Sequence, residues 1–328
     1  VVLQNNQAIP QVGLGTSVKR RWDRKGNDSS NKVQQAVIHA VRAGYTHFDC
    51  AFCYGSQEEV GEAIAEMIQN GEVGRADLFV VSKLWLTHMQ PDDIEENLQQ
   101  TLDQLQLDYL DLFLIHWPYA LKKRDPYQIF PLKEGGGNGE METEQVDLTA
   151  TWAKMEELVD SGVIKSIGVS NFTKEQTASI LESCRIRPVL NQVECHPFLS
   201  QEKLRVYLES ENIKLAAHSP LGNKFPGLGL MESPMETEVI QSIAASKNKS
   251  AAQVILRWHI QKNHIVTPKS VTPSRIQENL DLFDFELSAD EMDSIDALGS
   301  KNIRYCNPKF RPGGQLAYPN ETSAYFCS

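Results

Sequence analysis

The chain has 328 residues, 41% of them apolar and 23% charged, which is the balance of a folded globular protein with a large core and excludes disorder as the main state. With 43 acidic against 32 basic residues the formal charge is −11, which works against a broad nucleic-acid or anionic-membrane footprint. Six cysteines over this length make a disulfide scaffold unnecessary, and no run approaches the ~18 consecutive apolar residues of a membrane span. The reading is of a soluble, cytoplasmic protein with no nucleic-acid or membrane partner. A removed leader is left open because the chain starts at Val1, and the sequons at Asn27, Asn171, Asn248 and Asn320 are taken as chance occurrences.

In chain order, a hairpin signal at Asn5-Asn6 comes first, and short β-branched or apolar runs then alternate with longer segments of helical period. The candidate strands are 12–15, 46–49, 78–84, 109–116, 164–170, 189–194, 214–219 and 264–269. Amphipathic helices are expected after every strand but the last. Val33, Ala36, Val37, Ala40 and Val41 mark one apolar face, and Ile94, Leu98, Leu102 and Leu105 another. Ser56, Pro91 and Thr173 stand where helices begin, Gly44 and Gly162 where they end. Eight such units in order predict a closed α/β (β/α)8 TIM barrel forming one domain, 1–328, with 301–328 as a C-terminal tail. The irregular stretches 17–31, 118–147 and 222–234 leave strand C-terminal ends, the face on which such barrels carry active sites. A doubly wound dinucleotide fold is set aside: the glycines at 135–139 follow no strand, and Gly13 and Gly15 lead into a basic loop.

Three polar residues interrupt apolar runs at strand ends: Asp49, Lys83 within VVSKLW, and His116 within DLFLIHWP. A lone charge there would carry a large desolvation cost, so they are expected to pair across the barrel mouth, with Tyr54 on the loop just above. Together they describe a proton donor for a carbonyl oxygen. A tyrosine is a weak acid near neutrality, a neighbouring ammonium stabilises its anion, Asp49 holds that ammonium in place, and His116 orients the carbonyl oxygen. Singly, each residue also fits a structural role as buried ion pair, core histidine or wall; their common position at strand C-termini favours the site.

The sequence resembles the aldo-keto reductase family along nearly its whole length. GYTHFDCAFCYGSQEEVG (44–61), IKSIGVSNF (164–172) and TPKSVTPSRIQEN (267–279) are similar to the family's three signature segments, and VSKLW, LIHWP and LNQVECHP fit its intervening motifs. The resemblance implies that Asp49, Tyr54, Lys83 and His116 are a catalytic tetrad and that the cofactor is NADPH. It implies that Ser170, Asn171 and Gln192 bind the nicotinamide carboxamide, that Lys269, Ser270, Thr272 and Arg275 bind the 2′-phosphate, and that Glu278 and Asn279 contact the adenine. Thr16, Ser17, His218, Ser219 and Leu221 are further implied cofactor contacts. Pocket walls by the same resemblance are Cys53, Trp85, Trp117, Phe130, Cys306 and Phe310, with Trp22 a further candidate, and the substrate is a small carbonyl compound handled by a monomer.

Three positions depart from the family pattern. His218 stands where a nicotinamide-stacking tyrosine is usual, Ser17 where a tryptophan is frequent, with Trp22 following in a lengthened loop, and Thr46 where an arginine is common. The Cys50-x-x-Cys53 pair lacks a second CxxC or HxxxH to complete a zinc site, and no metal is assigned there or at Glu194-Cys195-His196. Two basic clusters, Lys19, Arg20, Arg21, Arg24 and Lys25, and Lys122, Lys123 and Arg124, stand in loops at the mouth. They read either as solvated or cofactor-phosphate charges, or as a rim attracting an anionic carbonyl such as a keto acid or sugar acid. The rival to an enzyme is a non-catalytic NADPH-binding protein on the same fold.

Overall fold

A computed structural model of the chain describes residues 1–17, 31–135, 140–222, 232–308, 310, 315–318 and 322–323. Eight strands form one parallel sheet in sequence order: β1 Leu14–Gly15, β2 His47–Asp49, β3 Phe79–Leu84, β4 Leu112–Ile115, β5 Ile167–Ser170, β6 Leu190–Glu194, β7 Lys214–His218 and β8 Ile265–Val266. The sheet closes on itself. Val12 bridges Val266 and Gly15 bridges Lys269, both in parallel, and the Gly13 amide donates to the Val266 carbonyl at 2.8 Å. Gly15 permits this approach, since a Cβ there would stand 2.7 Å from the Thr267 carbonyl oxygen. All eight expected strands are present, each shorter than its expected range, and most of them are trimmed at the N-terminal side.

Parallel strands are buried on both faces, which is why they read as near-continuous apolar runs. The period of two still sorts their side chains. Phe79, Val81, Leu112, Leu114, Leu190 and Ala216 fill the barrel interior together with Leu3 and Ile9, while Val80, Leu84, Phe113 and Ile115 pack outward under the helices. Leu3 and Ile9 come from the N-terminal hairpin, whose turn has Asn6 at φ 66° and whose Val2 pairs with Ala8. Two residues further along each strand, the same interior face emerges at the C-terminal mouth. Val81 is followed by Lys83, Leu114 by His116, Leu190 by Gln192 and Glu194, and Ala216 by His218, so the polar residues reach the mouth because the alternation carries them there.

Ten helices among the described residues surround the barrel: α1 Lys32–Ala43, α2 Gln57–Gln69, α3 Pro91–Leu105, α4 Leu148–Asp160, α5 Lys174–Leu181, α6 Glu202–Ser210, α7 Glu238–Lys247, α8 Ala251–Gln261, α9 Pro273–Leu280 and α10 Ala289–Ala297. Pro91 opens α3, Thr173 caps α5 in a reciprocal box with Gln176, and Gly44, at φ 99°, ends α1. Ser56 precedes α2 as expected, but its hydroxyl donates to the Thr16 carbonyl instead of capping the helix. Helix α4 stops at Asp160, one residue before the turn that holds Gly162 at φ 81°. The expectation of no helix after the last strand is corrected: α9 and α10 both follow β8. Helix α9 buries Ile276 and Asn279, with Leu280 partly buried against the core.

No helix among the described residues is long and apolar enough to cross a membrane.

Candidate active site

Lys83 is fully buried at the end of β3, and its ammonium makes three contacts at the mouth. Nζ donates to Asp49 Oδ1 at 2.8 Å, to the Cys50 carbonyl at 2.9 Å and to the Tyr54 hydroxyl at 3.4 Å. Asp49 Oδ1 also accepts from Gln192 Nε2 at 2.9 Å, so two donors fix the carboxylate that fixes the ammonium. Tyr54 stands on a short 3-10 turn, Phe52–Tyr54, that follows β2 directly. Its ring meets the His116 ring edge to face at a centroid distance of 6.0 Å. The four residues expected to act together are therefore brought together.

His116 is 7% exposed, and burial, then the Lys83 ammonium and His218, holds its imidazole well below the ordinary histidine range. It is neutral at neutral pH and retains one N–H to donate. Cys53 Sγ lies 3.7 Å from His116 Nδ1. Cys50 and Cys53 are free buried thiols; burial pushes Cys50 up to about 12 and raises Cys53 as well, so neither is a thiolate poised for exchange.

The implied nicotinamide residues form one hydrogen-bonded arc beside this cluster. Ser170 Oγ donates to the Gln192 carbonyl at 2.8 Å, and Asn171 Nδ2 donates to the His116 carbonyl at 3.0 Å. His218 Nε2 lies 3.1 Å from Asn171 Oδ1, and its Nδ1 lies 3.3 Å from Ser219 Oγ. Burial lowers His218 to about 4, so a neutral ring stands where the family places tyrosine. Thr16 Oγ1 donates to the Asp49 carbonyl at 2.9 Å, Ser17 follows it at the edge of the described chain, and Leu221 packs partly buried beyond Ser219.

Across the mouth, Ser270 Oγ accepts from the Thr272 amide at 3.1 Å, shaping the turn into α9, and the side chains of Lys269, Thr272 and Arg275 are exposed around it. Asn279 is buried and Glu278 accepts from Ser250 Oγ. A cleft of about 620 Å³ opens beside Glu278, lined by Asn248, Ser250, Gln253 and Gln277 among others.

The implied substrate walls form one apolar cluster: Cys53, Trp85, Trp117, Phe130, Cys306 and Phe310. Phe310 stands edge to face with Trp85 at 6.1 Å and with Trp117 at 5.5 Å, so the tail reaches back over the mouth. Trp22 lies outside the described residues. Thr46 sits at the opposite end of β2, half-buried and away from the mouth.

The residue that sequence reading missed here is Glu194. It is fully buried, and its carboxylate accepts from the amides of Tyr305 at 2.6 Å and Cys306 at 2.8 Å, with His196 Nε2 at 2.9 Å. Burial opposes its charge, but His196, Arg304 and His218 outweigh burial and hold it down to about 2. Glu194 thus anchors the root of the tail. Tyr318 adds a second anchor, donating to the Asn171 carbonyl at 2.8 Å.

Of the two basic clusters, residues 19–25 lie outside the described residues. The second is engaged in ion pairs. Lys122 pairs with Glu142 at 3.0 Å, Lys123 with Asp93 at 2.7 Å, and Arg124 Nε donates to Glu142 at 2.7 Å. Its charge is balanced within the loop and by α3.

The Aldo/keto reductase family model matches residues 11–300. The chain is 41% identical over 332 aligned residues to Aldo-keto reductase family 1 member A1-A of Danio rerio, covering 99% of this chain and 97% of that one. It is 43% identical to Aldo-keto reductase family 1 member A1 of Xenopus tropicalis, covering 95% and 92%. Among solved structures it is similar to an aldose reductase from Schistosoma japonicum (TM-score 0.80, 39% identity, 90% of each chain) and to a Bombyx mori aldo-keto reductase in complex with NADP (TM-score 0.80, 37% identity, 91% and 92%). With the barrel, the strand-end residues and these likenesses agreeing over almost its full length, the chain belongs to the aldo/keto reductase family.

Proposed function

We propose that this protein reduces aldehydes and ketones to alcohols with NADPH, Tyr54 donating the proton to the carbonyl oxygen. The observation that carries this reading is the Lys83 ammonium, shared between Asp49 Oδ1 at 2.8 Å and the Tyr54 hydroxyl at 3.4 Å at the barrel mouth. NADPH, when bound, supplies the hydride that adds to the carbonyl carbon. The chain's own residues do the rest. As the carbonyl π pair moves onto oxygen, Tyr54 gives up its O–H proton, and the phenolate left behind faces Lys83 Nζ. His116, neutral, donates its N–H to the same oxygen and orients it. Trp85, Trp117 and Phe310 exclude water from the reacting atoms.

The residues present fit the cofactor. Ser170, Asn171 and Gln192 offer polar atoms on one arc, and exposed Lys269, Thr272 and Arg275 surround the opening of α9, where a phosphate gains from amides and cations together. A charge-assisted contact is worth about 1.5–3 kcal/mol, or roughly 10–150-fold in affinity. Arg275→Ala is therefore expected to weaken NADPH by that factor and NADH far less, read as dissociation constants for both; equal losses would show that Arg275 does not read the 2′-phosphate.

We take the chain as one barrel domain, 1–328, with 301–328 as the tail that sets specificity, acting as a cytoplasmic monomer on small carbonyl compounds. A preference for anionic carbonyls rests on the five cations at 19–25, which stand out in a chain of net charge −11. Their replacement, as Lys19→Glu, Arg20→Glu and Arg21→Glu, is expected to lower kcat/KM for a keto acid selectively and to flatten its salt dependence. An equal response from a neutral aldehyde would remove the rim from substrate choice. Oxidation of NADPH by the pure protein with a panel of carbonyl compounds tests the activity itself, and no turnover with any of them would favour a binding protein.

A further inference from the structure

Three buried side chains meet behind the active site and take part in none of its steps. Cys195 follows β6, His259 lies in α8 and His264 leads into β8; the thiol sulfur and one ring nitrogen from each histidine lie within 4.8 Å of one another. Their exposures are 0%, 0% and 1%.

The tautomers follow from the partners. His259 Nε2 lies 3.2 Å from the Pro220 carbonyl, which can only accept, so Nε2 carries the proton and Nδ1 presents a lone pair. A backbone carbonyl behind the far nitrogen is the support that metal-ligating histidines use. His264 Nδ1, 3.0 Å from His259 Nδ1, must then donate, which leaves His264 Nε2 a buried lone pair with no hydrogen-bond partner among the described residues. Burial keeps both imidazoles far below their ordinary range, and so neutral, as ligands must be.

We propose that Cys195, His259 and His264 form a site for a thiophilic divalent cation, Zn(II) by its chemistry, that ties β6 to α8 and to the entry of β8. One thiolate with two imidazoles suits Zn(II), whereas Mg(II) and Ca(II) take oxygen. Two ligands at ~2.0–2.1 Å from a tetrahedral zinc stand roughly 3.3 Å apart, close to the spacing the two Nδ1 atoms already have. The cation replaces the proton between them. That proton moves to His264 Nε2, Cys195 loses its thiol proton to solvent, and one proton leaves per cation with no change of oxidation state. Burial raises the Cys195 thiol and opposes this loss, but a coordinated thiol deprotonates under the field of the ion. The neighbouring Lys262 ammonium is balanced by Asp296 at 2.8 Å and Glu202 at 3.4 Å.

The test uses the full chain stripped of metal. Titration with Co(II) is expected to produce a thiolate-to-cobalt charge-transfer band that saturates at one equivalent and is abolished by Zn(II). Cys195→Ser is expected to lack the band. His264→Val and His259→Gln are expected to weaken Zn(II), measured against a chromophoric chelator, by more than the roughly 10–100-fold that loss of an outer-shell partner costs. Wild-type protein that takes up Co(II) without the band, or takes up none, overturns the proposal even if a variant fails to fold, and so does unchanged Zn(II) affinity in folded His264→Val.

Discussion

Replacing Tyr54 by phenylalanine is expected to lower kcat by about 10²–10⁴-fold, the contribution of a positioned general acid, while NADPH binding is unchanged. The substitution removes one atom from a site that otherwise keeps its shape. The ring still meets His116 edge to face at 6.0 Å, and Lys83 Nζ still stands 5.0 Å from its centroid. What is lost is the O–H whose departing charge Lys83 compensates, an interaction that strengthens as the proton moves. Loss of that kind lowers kcat and kcat/KM together, whereas a lost ground-state contact would raise KM alone. His116 is a poor substitute acid, because burial keeps its imidazole neutral and a neutral N–H gives up its proton far less readily than a phenol. A Tyr54→Phe enzyme with wild-type kcat would place the proton donor elsewhere.

Three of the tetrad are legible because Asp49, Lys83 and His116 break, at or just past strand C-termini, a rule that parallel strands otherwise obey, and Tyr54 follows from its place on the turn above them. Lys83 stands in a six-residue strand whose every residue is buried, and such an interruption at a strand C-terminus calls for a partner. Glu194 breaks the same rule in β6, yet its partners, the amides of Tyr305 and Cys306, lie 111 and 112 residues away in a segment without periodicity. Nothing local announced the clamp. In the Cys195, His259 and His264 cluster the two histidines do stand in a local ligand spacing, His-x4-His across the end of α8, but Cys195 comes from the end of β6 far earlier in the chain, and no pattern within one loop joins it to them. For the basic run 122–124 the sequence leaves two readings open, since a count of cations says nothing of the acids, Asp93 and Glu142, that the fold pairs with them.

Lys83→Met is expected to cost stability as well as activity, and the two losses can be separated. The side chains of Lys83 and Asp49 are 0% and 4% exposed, so removing the ammonium leaves a carboxylate in the barrel with the Gln192 amide at 2.9 Å but no counter-charge at Oδ1. Breaking a buried pair from one side costs about 3–5 kcal/mol, a large part of the ~5–15 kcal/mol by which domains are stable. The Cys50 carbonyl loses its 2.9 Å donor at the same time. Removing both charges removes the penalty. Asp49→Asn combined with Lys83→Met keeps an acceptor for Gln192 and is expected to recover most of the lost stability, because a buried pair is worth little against a neutral replacement. Activity is not expected to return, since the double variant still lacks the ammonium that faces the Tyr54 oxygen. Denaturant midpoints of the two variants against the wild type read the first effect, and kcat at a temperature where all three are folded reads the second. If Lys83→Met unfolds at the wild-type midpoint, the pair is not held in the low-dielectric environment that the geometry gives it; if the double variant recovers kcat, Lys83 has no part in proton donation.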